Sequence, residues 1–198
     1  MSRSLYIVGA GGFGRELYAW AHHSFDMEKE YTFAGFLDDD PHALEGYDYP
    51  RGVVDSIDRH QPESDHAYLL GIGVPSIKKQ VVERTRRRGF RYLSLVHPSV
   101  VLGTNVRLGE GVVLCPGAVV SSDATLGDFV GINFQSTVSH DVVIGDFSQA
   151  SSYCDFTGGV KVGEGAFLGS HASVLPNVQI GEWATVGAGS VCMRDIPP

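Results

Sequence analysis

The chain has 198 residues, 43% of them hydrophobic and 19% charged, with a formal net charge of −8. That apolar content is enough for a packed core and excludes intrinsic disorder, and no stretch approaches the roughly 18 consecutive apolar residues of a membrane span. The acidic balance argues against nucleic-acid binding, whereas 25 glycines stand out against a usual share of about 7%.

In chain order, Leu5–Val8 reads as a buried strand and runs into the turn Gly9-Ala-Gly-Gly-Phe-Gly14. Arg15 to His23 follows with Leu17, Trp20 and Ala21 at helical spacing. Tyr31–Leu37 is a second strand ending in Asp38-Asp39-Asp40-Pro41, and Ala67–Leu70 a third that meets Gly71-Ile-Gly73. Ser76–Arg88 has the pattern of a basic amphipathic helix closed by Gly89, and Phe90–Val96 of one more strand. Alternating strands and helices imply a small parallel sheet, a Rossmann-like α/β domain over residues 1–95. Arg84, Arg86, Arg87, Arg88 and Arg91 read as a solvated helix end.

Residues 96–198 follow another rule. Every sixth residue from Val96 to Cys192 is apolar, seventeen positions without a slip, and the residue four further on is nearly always small or β-branched. Six is three times the strand period, so each hexapeptide supplies one short strand and one corner. Three hexapeptides make a triangular coil of a parallel β-helix, and the segment holds between five and six coils. Glycines are expected to relieve corners that need positive φ. Charge follows the same division, a net of −2 before residue 96 and −6 after it. Cys115, Cys154 and Cys192 fit neither a CxxC pattern nor a disulfide framework, so a reduced, cytoplasmic protein is expected.

Within the array, His140 falls at a corner and is followed by Asp141. An imidazole oriented by a carboxylate suits general-base work near neutral pH; an exposed corner histidine is the plainer alternative. The 18-residue coil stacks Ser122 and Gly158 on either side of His140, and Asp123 and Gly159 on either side of Asp141. The two glycines are expected to leave an open slot with accessible amides, and the two aspartates to attract a cation. His171 is read as a surface histidine, His97 as a residue of the junction, and no histidine has metal-ligand spacing, so no metal is expected. In the first domain, Gly9-x-Gly11-x-x-Gly14 between strand and helix, with Asp38 beyond it, fits a phosphate-binding fingerprint. A tight βα turn with an acidic cap is the alternative.

These residues carry a resemblance. The hexapeptide array preceded by a nucleotide-type domain resembles the NeuD/PglD group of bacterial sugar acyltransferases. The stretches IVGAGGFGREL, GFLDDD, GIGVPSIKK, VHPSV, STVSHDVVIGDF and GGVKVGEGAFLG carry it. The resemblance implies a left-handed β-helix, a homotrimer and transfer of an acetyl group from acetyl-CoA to an amino group of a nucleotide-linked amino-sugar. It makes His140 the base and Asp141 its aligning partner. Gly11, Gly12, Phe13 and Gly14 would hold the pyrophosphate, Asp38 and Asp39 the base or ribose, and Ile77 would border the base. Gly158 and Gly159 would bind the acyl-CoA, and Asn133 would point into the same cleft. Gln149 stands where some relatives have a second histidine, and it is expected to donate a hydrogen bond to the thioester carbonyl. No cysteine is placed as a nucleophile, so direct transfer is expected. O-acetyl transfer to a sugar hydroxyl and a non-catalytic trimeric scaffold are the two alternatives.

Overall fold

The structure is a computed structural model that describes residues 2–198. The described residues form two compact units, residues 2–73 with 77–93, and residues 74–76 with 94–198.

The first unit is built on four parallel strands, β1 (Arg3–Val8), β2 (Tyr31–Leu37), β3 (Val53–Asp55) and β4 (His66–Leu70), in the order β3-β2-β1-β4. Helix α1 (Gly12–Ser24) follows β1, and α2 (Pro75–Arg86) follows β4. Leu5, Ile7 and Val8 of β1 and Ala67 and Leu69 of β4 are fully buried, as expected of a parallel sheet covered on both faces. α1 buries Gly14, Leu17 and Ala21 on one stripe, and Tyr18 joins Phe33 and Tyr49 in edge-to-face contacts. One strand was missed and one sequence expectation is corrected here. β3, three residues long, carried no periodic signal. Phe90–Val96 is not a strand of this sheet: Tyr92 makes a single bridge to Tyr68, and Leu95–Val96 already belongs to the second unit. The chain changes partner within those residues, and an apolar run does not reveal which sheet it joins.

The second unit is a parallel β-helix of seventeen two-residue strands, from β5 (Leu95–Val96) to β21 (Val191–Cys192). They form three parallel sheets of six, six and five strands. Register advances by one coil, so Ile132 of β11 (Gly131–Ile132) pairs with Leu114 on one side and Ala150 on the other. The large aliphatic and the small residue of each hexapeptide point inward and form one continuous core. Leu102 is 44% exposed because its strand lies in the first coil, which has a stacked neighbour on one side only. The inward hydroxyl of Ser136 donates to the Ser151 carbonyl and accepts from the Cys154 N–H, so this buried polar group is satisfied.

The corners are made only partly as expected. Gly111, Gly117, Gly159, Gly165 and Gly189 take positive φ at corners, but ten non-glycine residues also adopt φ between 56° and 63°, Asp123, Asp141 and His171 among them. The glycines that follow the inward aliphatic answer a different requirement. A Cβ on Gly145 would lie 2.7 Å from the Glu164 amide nitrogen, and one on Gly169 would lie 2.6 Å from that of Ala188. Stacking of coil on coil, not left-handed backbone, excludes side chains there.

Candidate active site

Strand β12 (Thr137–Val138) carries the chain into the corner that holds His140, and β13 (Val143–Ile144) carries it away. The corner is pinned from both sides. The His140 carbonyl accepts the Gly159 N–H at 3.0 Å, and the Asp141 N–H donates to the Ser122 carbonyl at 3.2 Å. With φ at 62°, Asp141 turns its carboxylate back, placing Oδ2 2.8 Å from Nδ1 of His140. A carboxylate can only accept, so Nδ1 carries the proton and Nε2 keeps its lone pair. Both side chains are about two-thirds exposed, so a substrate can reach Nε2.

Gly158 does not leave a slot open. The imidazole itself lies over its α-carbon: a Cβ at this position would meet Cε1 at 2.6 Å and Nε2 at 2.7 Å. The carbonyl of Gly158 accepts the Asn177 N–H, whereas among the described residues its own N–H takes no backbone acceptor. Space beside Gly159 is also filled, since a Cβ there would meet the Asn177 side-chain oxygen at 2.5 Å. Asn177, one coil beyond Gly159, is a neighbour the sequence reading missed, although the 18-residue period points to it. Asp123 takes a hydrogen bond from the Asn105 side-chain amide at 2.9 Å. His171 stacks on Tyr153 with ring centroids 4.8 Å apart.

Two expected site residues lie elsewhere in the chain. Asn133 follows β11, at a different corner from His140, and its side-chain oxygen accepts the Phe134 N–H at 2.8 Å. Gln149, on β14 (Gln149–Ala150), is 4% exposed and lies across Gly131. It belongs to the sheet that has no strand bordering the His140 corner. Within one chain, neither reaches His140.

The cysteines do not offer a nucleophile. All three are buried and outside any disulfide, and burial pushes the Cys154 thiol up to about 11, far from a thiolate at neutral pH.

In the first unit, the glycine turn closes as a phosphate-type turn does. Gly14 sits so close to Gly9 that any Cβ would collide with the Gly9 carbonyl oxygen, which fixes α1 hard against the end of β1. The N-cap is Gly11, with no side-chain cap and no acidic residue in the first turn, so the amides around Gly12, Phe13 and Gly14 begin α1 uncapped by a side chain. Asp38 braces this turn, accepting the Ala10 N–H at 2.7 Å and the Asp40 N–H at 3.0 Å. Gly11, Asp38, Asp39 and Ile77 line one cavity of about 430 Å³, together with Gln80 and Arg84. Phe13 instead packs edge-on against Trp20, and Arg15 stacks on the Tyr47 ring at 3.7 Å. Arg84 was missed as a site residue. Ile77, Gln80, Val81 and Arg84 recur at i, i+3, i+4 and i+7, one face of α2, which is the signal that finds it.

The basic cluster at the end of α2 is only partly a solvated surface. Arg84 pairs with Asp39 at 2.8 Å, and Arg88 donates to the Ile57 carbonyl at 2.8 Å. Elsewhere in the unit, Glu63, Asp65 and His66 bring ligand-type atoms within 4.8 Å of one another; there the His66 Nδ1 accepts the Glu63 N–H at 3.2 Å. Among the described residues no helix is long and apolar enough to cross a membrane.

A β-helix of hexapeptides with a histidine–aspartate pair at an exposed corner, preceded by a glycine-turn α/β domain, defines the class of hexapeptide-repeat transferases. The family comparisons agree: residues 4–85 match the PglD N-terminal domain, and residues 159–194 match the bacterial transferase hexapeptide of six repeats. The chain belongs to the NeuD/PglD-type hexapeptide acyltransferases. PerB from Caulobacter crescentus, solved with CoA and GDP-perosamine, is 30% identical, with a TM-score of 0.86 over 98% of this chain and 90% of that one. The acetyltransferase domain of PglB from Neisseria gonorrhoeae FA1090, solved with acetyl coenzyme A, is 28% identical, with a TM-score of 0.88 over 100% and 94%. The UDP-N-acetylbacillosamine N-acetyltransferase of Bacillus subtilis (strain 168) is 34% identical over 116 residues, 57% of this chain. The matched stretch spans about half (51%) of that curated relative.

Proposed function

We propose that the protein is an acetyl-CoA-dependent N-acetyltransferase acting on a nucleotide-linked amino-sugar, with His140 as general base. The observation that carries this reading is the His140–Asp141 pair, 2.8 Å apart at an exposed corner, with the imidazole seated on Gly158. Relatives solved with acetyl coenzyme A and with GDP-perosamine support the co-substrate and the substrate class.

The chemistry follows from the tautomer. The substrate amine attacks the thioester carbonyl, and its proton passes to Nε2 of His140 as the nitrogen–carbon bond forms. Asp141 stabilises the resulting imidazolium through Nδ1–H. The tetrahedral oxyanion collapses, the carbon–sulfur bond breaks, and the CoA thiolate recovers the proton from Nε2. The Gly158 N–H, which takes no backbone acceptor among the described residues, is assigned to the thioester oxygen. No acyl-enzyme is required, consistent with the buried thiols.

We assign the nucleotide part to the cavity of the first unit, which Gly11 and Ile77 line, with its base beside Ile77 and its diphosphate at the amides of Gly11, Gly12, Phe13 and Gly14, where α1 begins. Asp38 braces that turn. Homotrimeric assembly is part of the same proposal. Outward-facing Val101 (60% exposed), Val143 (44%) and Val191 (58%) support burial of these faces against further copies. So is a cytoplasmic location, where acetyl-CoA is supplied. Gln149, buried within the chain, is assigned no direct contact with the acetyl group.

The test is release of CoA thiol from acetyl-CoA in the presence of UDP-, GDP- or dTDP-linked amino-sugars, each against its hydroxyl counterpart. Turnover with one amino-sugar and not with its hydroxyl analogue is expected. Turnover with the hydroxyl sugars alone would replace N-transfer by O-transfer.

A further inference from the structure

The cavity of the first unit is walled largely by aliphatic side chains, Ile57, Ile72, Ile77 and Val81. Ile77 is 48% exposed there, an apolar surface left open beside the glycine turn. In a pocket of this kind the few polar side chains decide which ligand is accepted. Four line it: Asp38, Asp39, Gln80 and Arg84. A carboxylate only accepts hydrogen bonds and a guanidinium only donates them, so Gln80 alone among the four can do both. The other three already have partners. Asp38 accepts the Ala10 and Asp40 N–H groups, Asp39 accepts the Ile57 N–H and Arg84, and Arg84 also meets Asp58. Gln80 is exposed, and among the described residues its carboxamide has no hydrogen-bond partner. It follows Ile77 by three positions and precedes Arg84 by four, so it stands between them on one face of α2.

We propose that Gln80 reads the edge of the nucleobase, pairing its carboxamide with the adjacent N–H and C=O of uracil, thymine or guanine. The inference rests on the nucleotide reading of this cavity and adds the group that recognises the base. These three bases share an edge in which a ring N–H stands beside a carbonyl, and a carboxamide offers an acceptor and a donor side by side. In uracil, N3–H donates to Oε1 of Gln80 while Nε2–H donates to O4. In guanine, N1–H and O6 take the same places. Each carboxylate oxygen keeps a second lone pair, so Asp38 and Asp39 still serve the ribose hydroxyls.

Calorimetric titration of the full chain with UDP, GDP and their ring-methylated analogues, 3-methyl-UDP and 1-methyl-GDP, tests this. In the wild type, methylation is expected to weaken the tighter of the two nucleotides by on the order of tenfold, because the base loses its N–H and Oε1 is left unpaired. Gln80→Met keeps the length of the side chain and removes both donor and acceptor. It should weaken the unmodified nucleotide by about tenfold and bind the methylated one within about threefold of it. A merely structural role would weaken both ligands alike and preserve their ratio. Gln80→Ala, which favours the helix at this exposed position, should repeat the result and supplies a second reading should Gln80→Met fold poorly. Equal binding of the methylated and unmodified nucleotides by the wild type overturns the proposal. So does a wild-type ratio in the Gln80 variants, which would assign the base edge to another group, such as Asp39 with Arg84. Failure of the wild type to bind either nucleotide overturns the nucleotide reading itself and the role of Gln80 with it.

Discussion

Replacing Gly158 by alanine separates two jobs that one residue performs. The variant keeps the main-chain N–H and adds one methyl group beneath the imidazole. That methyl carbon would lie 2.6 Å from Cε1 and 2.7 Å from Nε2 of His140, whereas carbon atoms rest at about 3.5–4.0 Å. The ring must therefore move by about 1 Å, or rotate off Asp141. Gly158 lies outside the left-handed region, so alanine adds no backbone strain of its own. A displacement of that size at a catalytic group costs on the order of 100-fold in rate. The assay is thiol release under saturating acetyl-CoA, with the KM for acetyl-CoA and the melting temperature measured alongside. kcat should fall about 100-fold while the KM for acetyl-CoA and the melting temperature change little. Gly187→Ala is the control, because its Cβ would meet only Ser190 Oγ, at 3.6 Å. Wild-type kcat in Gly158→Ala would refute the view that this glycine seats the base.

Asp141→Asn should lower kcat about 10- to 100-fold, because an amide N–H facing Nδ1 favours the tautomer with its proton on Nε2; thiol release checks this, and Asp141→Glu is expected to retain more activity. His60, buried against the Tyr68 hydroxyl, is held below the usual histidine range by burial and then by His66. The unfolded chain then binds more protons than the native one just below pH of about 6.5, so stability is present above that pH and lost as pH falls through it. Melting curves between pH 5 and 8 should show this loss in the wild type and a flatter profile in His60→Gln. Phe156, 1% exposed in the β-helix core, should cost about 3–5 kcal/mol on truncation to alanine, read by chemical denaturation.

The hexapeptide period was legible because every sixth position must enter a core three strands wide, and no other fold imposes that spacing. It also showed which residues share a column, and so placed Gly158 against His140 before any coordinates. Column membership does not say where a side chain lies, however. An open slot and a ring seated on a glycine look alike in sequence, and only rotamers separate them. Gln149 was singled out by the resemblance alone, and the repeat does not show that it lies buried across Gly131. Asn133 sits one hexapeptide before the repeat of His140, and one hexapeptide is one corner of the triangle, so sequence proximity there means spatial separation. In the first unit, the glycine turn and Asp38 were readable from the fingerprint. The Asp39–Arg84 pair was not, because it joins residues 45 positions apart, with β3 and β4 between them. β3 was hidden because three residues carry no periodicity.

The most direct test of His140 as general base is thiol release from acetyl-CoA by wild type and His140→Ala, with the amino-sugar nucleotide the wild type prefers. Circular dichroism and nucleotide titration serve to confirm that the variant is folded and still binds. Loss of at least about 100-fold in kcat, with nucleotide affinity unchanged, is expected. A folded, nucleotide-binding His140→Ala protein that turns over at the wild-type rate would contradict it.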